Sequence, residues 1–289
     1  MKKEFKEIIV DVGERLRSEG IADYFAESRA LAAKVLNRPV NQIHPDINIE
    51  LSYEQFQQLS KLAERRIMGE PLQLICGYVG FHNIILNCEK GVFIPRMETE
   101  TLVNRALNCI DEIPPDKTAR ILDLGTGTGA IVIALAVMSP RHQYFGVDLN
   151  EKSIQLARLN AEMNDVVDKV DFYKGDYFDP VRSWEDIRFE LIVSNPAYIR
   201  SSDIPHLDSE VRDWDPRIAL DGGEDGLDEY RKIAGELSDF LHPDGTAIFE
   251  IDPEYVEPLE ILFKKSGFRI NGVHKDLDGN ERIIEVIFL

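Results

Sequence analysis

A chain of 289 residues with 44% hydrophobic and 29% charged side chains has enough apolar material for a packed core, which argues against wholesale disorder. Its 52 acidic against 33 basic residues give a formal net charge of −19, so most of its surface would repel a phosphate backbone, and a general nucleic-acid binder is not expected. The three cysteines, Cys76, Cys88 and Cys109, make no CxxC pair, so neither a disulfide framework nor a metal site is expected.

The charge is unevenly placed. Residues 1–90 hold 12 basic and 13 acidic side chains, whereas residues 91–289 hold 21 and 39. The asymmetry suggests two units with different tasks. The N-terminus begins with Lys2 and Lys3, but acids follow at once and no apolar segment precedes a cleavage site, so a secretory signal is not expected. The longest apolar run, Ala130–Met138, has nine residues, too few to span a bilayer. The expected setting is the cytoplasm, with no membrane partner.

Residues 1–75 read as helices. Ile8, Ile9, Val12 and Leu16 recur at helical spacing up to Gly20, and Tyr24–Leu36 ends at Arg38-Pro39. Ser52, with Gln55 three residues on, predicts a capping box for a third helix whose apolar face is Phe56, Leu59, Leu62 and Ile67. Residues 76–118 change texture. Tyr78, Val79, Phe81, Ile84, Ile85 and Leu86 predict a hairpin turning at His82-Asn83, read as a linker, followed by a connecting helix. From Ala119 to Leu289 strands and helices alternate, which predicts βαβ units and a mostly parallel sheet covered on both faces. Two further strands are expected at Phe268–Val273 and Glu281–Phe288.

The first strand of that domain, Ile121-Leu122-Asp123-Leu124, runs into Gly125-Thr126-Gly127-Thr128-Gly129. The spacing is GxGxG after an acid, not the GxGxxG of dinucleotide folds. A ligand carrying an ammonium and a sulfonium suits an acidic neighbour, and Asp123 can supply that charge directly or through water. Asp148, at the end of the second strand and 19 residues past Gly129, can accept bonds from both hydroxyls of a ribose. After the third strand, Asp176 can face an adenine amino group and Tyr177 can pack on the ring, with core packing the alternative for Tyr177 and Phe178. These features together resemble the class I S-adenosylmethionine-dependent methyltransferases, with their Rossmann-like seven-stranded α/β fold.

The fourth strand leads into Asn195-Pro196-Ala197-Tyr198, which resembles the [ND]PPY motif of methyltransferases acting on planar, conjugated nitrogen. Such a nitrogen is a poor nucleophile because its lone pair is delocalised. Two acceptors, the Asn195 side-chain oxygen and the Pro196 carbonyl, can hold its N–H groups and stabilise positive charge as it develops. Tyr198 can pack its ring on the planar group. Ala197 stands where the pattern has a second proline, and the loss of a fixed φ puts turnover rate rather than reaction type in question.

Upstream, Gly91–Glu100 (GVFIPRMETE) and Arg65–Tyr78 (RRIMGEPLQLICGY) are similar to segments of the release-factor glutamine methyltransferases, the PrmC/HemK family. Downstream, Val211–Gly226 (VRDWDPRIALDGGEDG), with Asp215 in place of the usual Glu, and Asp276–Arg282 (DLDGNER) resemble two more. The likeness covers nearly the whole chain. It implies methylation of the amide nitrogen of the glutamine in the GGQ motif of class 1 peptide chain release factors, with the helical domain docking the release factor. It implies S-adenosylmethionine contacts at Gly125–Gly129, Asp148, Tyr177 and Asn195. It also implies a glutamine site at Asn195–Tyr198, with Phe93, Pro95, Arg96 and Glu98–Thr99 lining the same cleft. A monomer is expected, with no direct nucleic-acid partner.

Rival readings are a ribosomal-protein glutamine methyltransferase, an N6-adenine methyltransferase and a binding module that kept the fold. The PRxETE form of the upstream segment favours release factors over the ribosomal protein. The charge of −19 weighs against adenine in nucleic acid. Only Ala197 favours the non-enzymatic module. The acidic segment Asp203–Glu229 reads as a solvated loop or as a lid that attracts a basic loop.

Overall fold

The structure, a computed structural model, describes residues 4–44 and 49–289; the basic start at Lys2 and Lys3 lies outside them. In chain order the elements are α1 (Phe5–Ser18), α2 (Tyr24–Leu36), α3 (Tyr53–Ile67), α4 (Leu72–Cys76), β1 (Tyr78–Phe81), β2 (Ile84–Asn87), α5 (Glu100–Asp111), β3 (Arg120–Leu124), α6 (Ala130–Met138) and β4 (Gln143–Asp148). There follow α7 (Glu151–Met163), β5 (Val170–Lys174), β6 (Phe189–Ser194), α8 (Ser209–Arg212), α9 (Asp228–Phe240), β7 (Leu241–Glu250), α10 (Val256–Lys265), β8 (Phe268–Lys275) and β9 (Glu281–Phe288). The chain divides into two units. One contains the residues up to Tyr78 together with Ser209–Trp214, and the other contains Val79–Asp208 and Asp215–Leu289.

The first unit is helical because its apolar residues recur every three or four positions. Ile8, Ile9, Val12 and Leu16 of α1 meet Leu31, Ala32 and Ala33 of α2 and Leu59, Leu62 and Ala63 of α3 in one core. Phe56 and Ile67 pack against it partly buried. The capping box forms as the sequence requires. Gln55 N donates to Ser52 Oγ at 3.1 Å, and Ser52 N donates to Gln55 Oε1 at 2.9 Å. Arg66 on α3 is buried and donates to Glu27 of α2 at 2.6 Å while pairing with Glu210 of α8 at 2.6 Å. A buried guanidinium needs such partners, and the pairing fixes the segment 209–214 as part of this unit.

The second unit is built on a seven-stranded sheet in the order β5-β4-β3-β6-β7-β9-β8. The first five strands are parallel, β9 runs antiparallel to β7, and β8 runs antiparallel to β9. The central strands β3, β4 and β6 are buried along nearly their whole length because both their faces are covered. On one face Ile121, Leu191 and Val193 pack with α5, α6 and α7. On the other Leu122, Leu124 and Ile192 pack with α9 and α10. Helix α6 is the nine-residue apolar run. It is apolar all round because Ala130 to Ala136 are all buried in the first of these layers.

The hairpin β1-β2 differs from the linker expected of it. Phe81, Ile84 and Leu86 lie in the same core as Leu102, Val103, Ala106 and Ile110 of α5 and the residues of α6. A two-stranded hairpin is marginal alone and gains its stability by burying one face, at about 1.5–3 kcal/mol per large apolar side chain. Among the described residues no helix is long and apolar enough to cross a membrane.

Candidate active site

The carboxyl ends of β3, β4, β6 and β7 carry the candidate residues, as the strand order dictates. The chain leaves β3 toward β4 and β5 and then returns to β6 on its other side, which opens a crevice at the end of β3. Gly125 N and Thr126 N both donate to Val147 O at 2.9 Å, tying the glycine loop to β4. Gly125 and Gly127 have positive φ, and a Cβ added to either would meet nothing within 4 Å, so open space lies over this part of the loop. Gly129 differs. A Cβ there would stand 2.7 Å from Ile133 Cδ1 and 3.2 Å from Ala157 Cβ, where α6 packs on α7. Behind the loop, Asn160 is fully buried and donates to Thr128 O at 2.9 Å. Its Oδ1 receives Asn87 N at 2.8 Å, which links loop, hairpin and α7.

Asp148 is held by two backbone amides, Gly127 N on Oδ2 and Asn150 N on Oδ1, each at 2.8 Å. Burial raises its pKa against these bonds. Each carboxylate oxygen keeps lone pairs for further donors. Asp123 lies beneath the loop. Its Oδ2 accepts from Thr126 Oγ1 at 2.6 Å, its Oδ1 is buried without a partner, and it is wholly inaccessible. It therefore braces the loop and offers its charge from below, in place of a direct contact at the open face. Tyr177 has φ +41 and donates its hydroxyl to Glu229 Oε2 at 2.6 Å, with burial pushing its pKa up. Asp176 is exposed on the loop after β5. Phe178 is in the core, stacked on Phe240.

Asn195 follows β6, whose last residue Ser194 donates to Leu124 O at 2.7 Å and so joins the ends of β6 and β3. Pro196 and Ala197 are buried, and Tyr198 is half-buried. The segment 199–223 braces this loop. Ile199 N donates to Leu220 O at 2.9 Å, and Gly222 N to Ile199 O and Ser201 N to Gly223 O, both at 2.8 Å. This ladder stiffens the loop from outside. It offsets the φ freedom that Ala197 keeps by not being proline.

Three elements meet at Asn195. Its Nδ2 donates to Thr99 Oγ1 at 3.2 Å. Glu250, at the end of β7, is buried, its Oε2 has no partner, and Thr99 and Asn195 favour its charged form against the burial that raises its pKa. Arg282 supports the charged form of Glu250. It is itself held by Asp276 Oδ2 at 3.2 Å and Ile251 O at 3.4 Å, which gives the DLDGNER segment its place. Of the upstream segment, Thr99 thus reaches Asn195, whereas Arg96 turns to Asp215 and lies over the Phe93 ring at 5.2 Å. Asp215 also receives Ile94 N at 3.4 Å, and burial raises its pKa against Arg96. Pro95 is partly buried beside this pair.

The acidic segment is not a field of free charge. Asp203 pairs with Arg200, Glu210 with Arg66, Asp215 with Arg96, Asp221 with Arg217, and Asp225 and Asp228 with Arg231. Most of these partners, Arg66, Arg96, Arg200 and Arg231, lie outside the segment. Glu250, Asn160 and the Gly222 ladder were missed from the sequence alone. The signal for Glu250 was present: an acid closing the apolar run Ala247-Ile248-Phe249.

Burial pushes Asp123 and Glu250 each up to about 7, from 3.8 and 4.5 respectively. Between those ordinary values and about 7 the folded protein holds more protons than the unfolded chain, so both groups make stability fall as pH rises. Glu250→Gln should flatten the fall in Tm between about pH 4.5 and 7. A parallel pair of curves for the two proteins would show that Glu250 titrates normally.

The sequence is 34% identical over 277 residues to a release factor glutamine methyltransferase of Agrobacterium fabrum, covering 96% of this chain and 94% of that protein. It is 36% identical over 258 residues to one of Thermodesulfovibrio yellowstonii, covering 89% and 90%. The chain belongs to the release factor glutamine methyltransferase family. Residues 7–77 of this family member match the PrmC N-terminal domain, and residues 115–251 match a methyltransferase domain. Human methyltransferase 10 domain containing protein, 13% identical with a TM-score of 0.51 over 68% of this chain and 85% of that one, shares its fold.

Proposed function

We infer that this enzyme transfers a methyl group from S-adenosylmethionine to the side-chain amide nitrogen of a release-factor glutamine, and that the glutamine is the one in the GGQ motif of class 1 release factors. The observation that carries the reading is Asn195-Pro196-Ala197-Tyr198 at the end of β6, beside the glycine loop, in a chain similar over nearly its full length to release factor glutamine methyltransferases.

The residues fit the cofactor. Open space over Gly125 and Gly127 and the carboxylate of Asp148 form a cradle suited to a cationic nucleoside, with buried Asp123 beneath the loop. Asp148 would hold the ribose, the backbone of Gly125–Gly129 the remainder, and Asp176 and Tyr177 the base. When bound, S-adenosylmethionine supplies an electrophilic methyl group on sulfonium. Asn195 Oδ1 and the Pro196 carbonyl accept the two N–H groups of the glutamine amide, fix its plane and stabilise the positive charge developing on nitrogen. Tyr198 and Phe93 pack on that plane. No strong base is required first, because the proton leaves after the nitrogen has been alkylated. The helical unit would dock the release factor, and the working form would be a cytoplasmic monomer without direct nucleic-acid contact.

Labelled S-adenosylmethionine incubated with a release factor, its GGQ→GGA variant, a ribosomal protein and DNA in separate reactions tests the reading. Label is expected on the wild-type release factor alone. Label on DNA, or equal label on the GGA variant, would overturn it.

A further inference from the structure

An asparagine side chain can be seated in two ways that exchange its oxygen and its NH2. Only one of them offers an acceptor to a substrate N–H, so something must choose between them. On one side Asn195 Nδ2 donates to Thr99 Oγ1 at 3.2 Å, and the buried carboxyl of Glu250 stands where Thr99 and Asn195 both favour its charged form. Above its raised pKa of about 7, Glu250 is a carboxylate and only accepts. A hydroxyl that has given its single proton to a carboxylate can then only accept from its other neighbour. Both groups therefore demand donors, and the NH2 of Asn195 is the donor available. Glu250 is an expensive group to keep here. It is 2% exposed, its Oε2 has no partner, and the like charge of Glu98 opposes its ionised form while Arg282 supports it. A buried acid with an unmet oxygen is retained where its polarity sets a neighbour's orientation.

We propose that Thr99 and Glu250 are positioning residues that take the amide N–H groups of Asn195 and so turn its Oδ1 toward the nitrogen to be methylated. This rests on the reading of Asn195 given above, and it assigns a reason for a threonine and a buried glutamate 151 positions apart to converge on one side chain. Neither residue touches the reacting atoms; each acts through Asn195.

The side-chain amide of Asn195 in 15N-labelled protein, free of cofactor and substrate, is the direct readout, with its signals assigned by their absence in Asn195→Asp. The wild type should show two separate, slowly exchanging protons. Thr99→Val, which keeps shape, and Glu250→Gln should each speed that exchange about five- to tenfold, the loss of roughly one hydrogen bond. With a release factor as substrate, kcat should fall about 10–100-fold in the same variants, while KM and cofactor Kd stay within about twofold. Thr99→Ser should restore both readouts. If Thr99→Val fails to fold, Glu250→Gln carries the same measurement. Unchanged amide exchange in both variants overturns the proposal whatever the substrate. Altered exchange in a protein whose wild type methylates no release factor would leave the positioning intact and sink the functional reading instead.

Discussion

Asn195→Ala should lower kcat for glutamine methylation about 10²–10³-fold, the usual cost of losing one group aimed at charge developing in a transition state. Cofactor binding should weaken far less than kcat and stay measurable, because Asp148 and the glycine loop are tied to β4 and stand without Asn195. The substitution removes the acceptor for the reacting amide and also strips Thr99 and Glu250 of a donor. Asn195→Asp separates the two effects. It keeps an acceptor oxygen but sets a second carboxyl beside the buried Glu250, so an intermediate rate is expected. Single-turnover rates with saturating cofactor, together with cofactor Kd by calorimetry, are the measurements. A full rate in Asn195→Ala would mean that the nitrogen is held elsewhere.

The second large effect is expected at Gly222, a residue with no chemistry of its own. A Cβ there would stand 2.8 Å from Tyr198 Cα and 2.9 Å from both Ala197 O and Gly226 O. All three are backbone atoms, so no side chain can swing aside. Gly222→Ala must push the 197–198 backbone away, at a stability cost of about 1–3 kcal/mol. Because a displacement of about 1 Å at a positioned group costs about 10²-fold in rate, kcat should fall far more than stability does. Denaturant unfolding and turnover measured on one preparation check this. A variant that loses stability but retains its rate would show that the 199–223 ladder is scaffolding and does not position the loop.

These expectations also mark how much was legible in the sequence. The glycine loop and Asn195–Tyr198 are local motifs, each encoded within a few residues of a strand end, and the structure puts both at the carboxyl edge of one sheet. The contacts that aim Asn195 come from Thr99, 96 positions away, and from the end of β7. No local periodicity records such a pairing. The sequence around Arg96 holds no sign of its partner Asp215, 119 positions away. The hairpin looked like a connector because its own four-residue strands cannot show what they will pack against. Charge was misleading in part for the same reason: Arg66 and Arg96 reach Glu210 and Asp215 from far along the chain.

The order of strands has a consequence for how the molecule assembles. β9 follows β8 in the chain but lies between β7 and β8, with Glu250 opposite Ile283. The strand that carries Glu250 therefore has one open edge until residues 281–288 arrive, and β8 has no route into the sheet before then. Synthesis from the N-terminus thus makes the glycine loop and Asn195 early, yet leaves the acid behind Asn195 beside an unpaired strand until late. Closing the sheet is a long-range event, of the kind that slows folding and exposes an edge to wrong partners. The step that completes the sheet is also the step that pairs the end of β7, where Glu250 stands, with Ile283, so the arrangement proposed around Asn195 is finished only as folding ends.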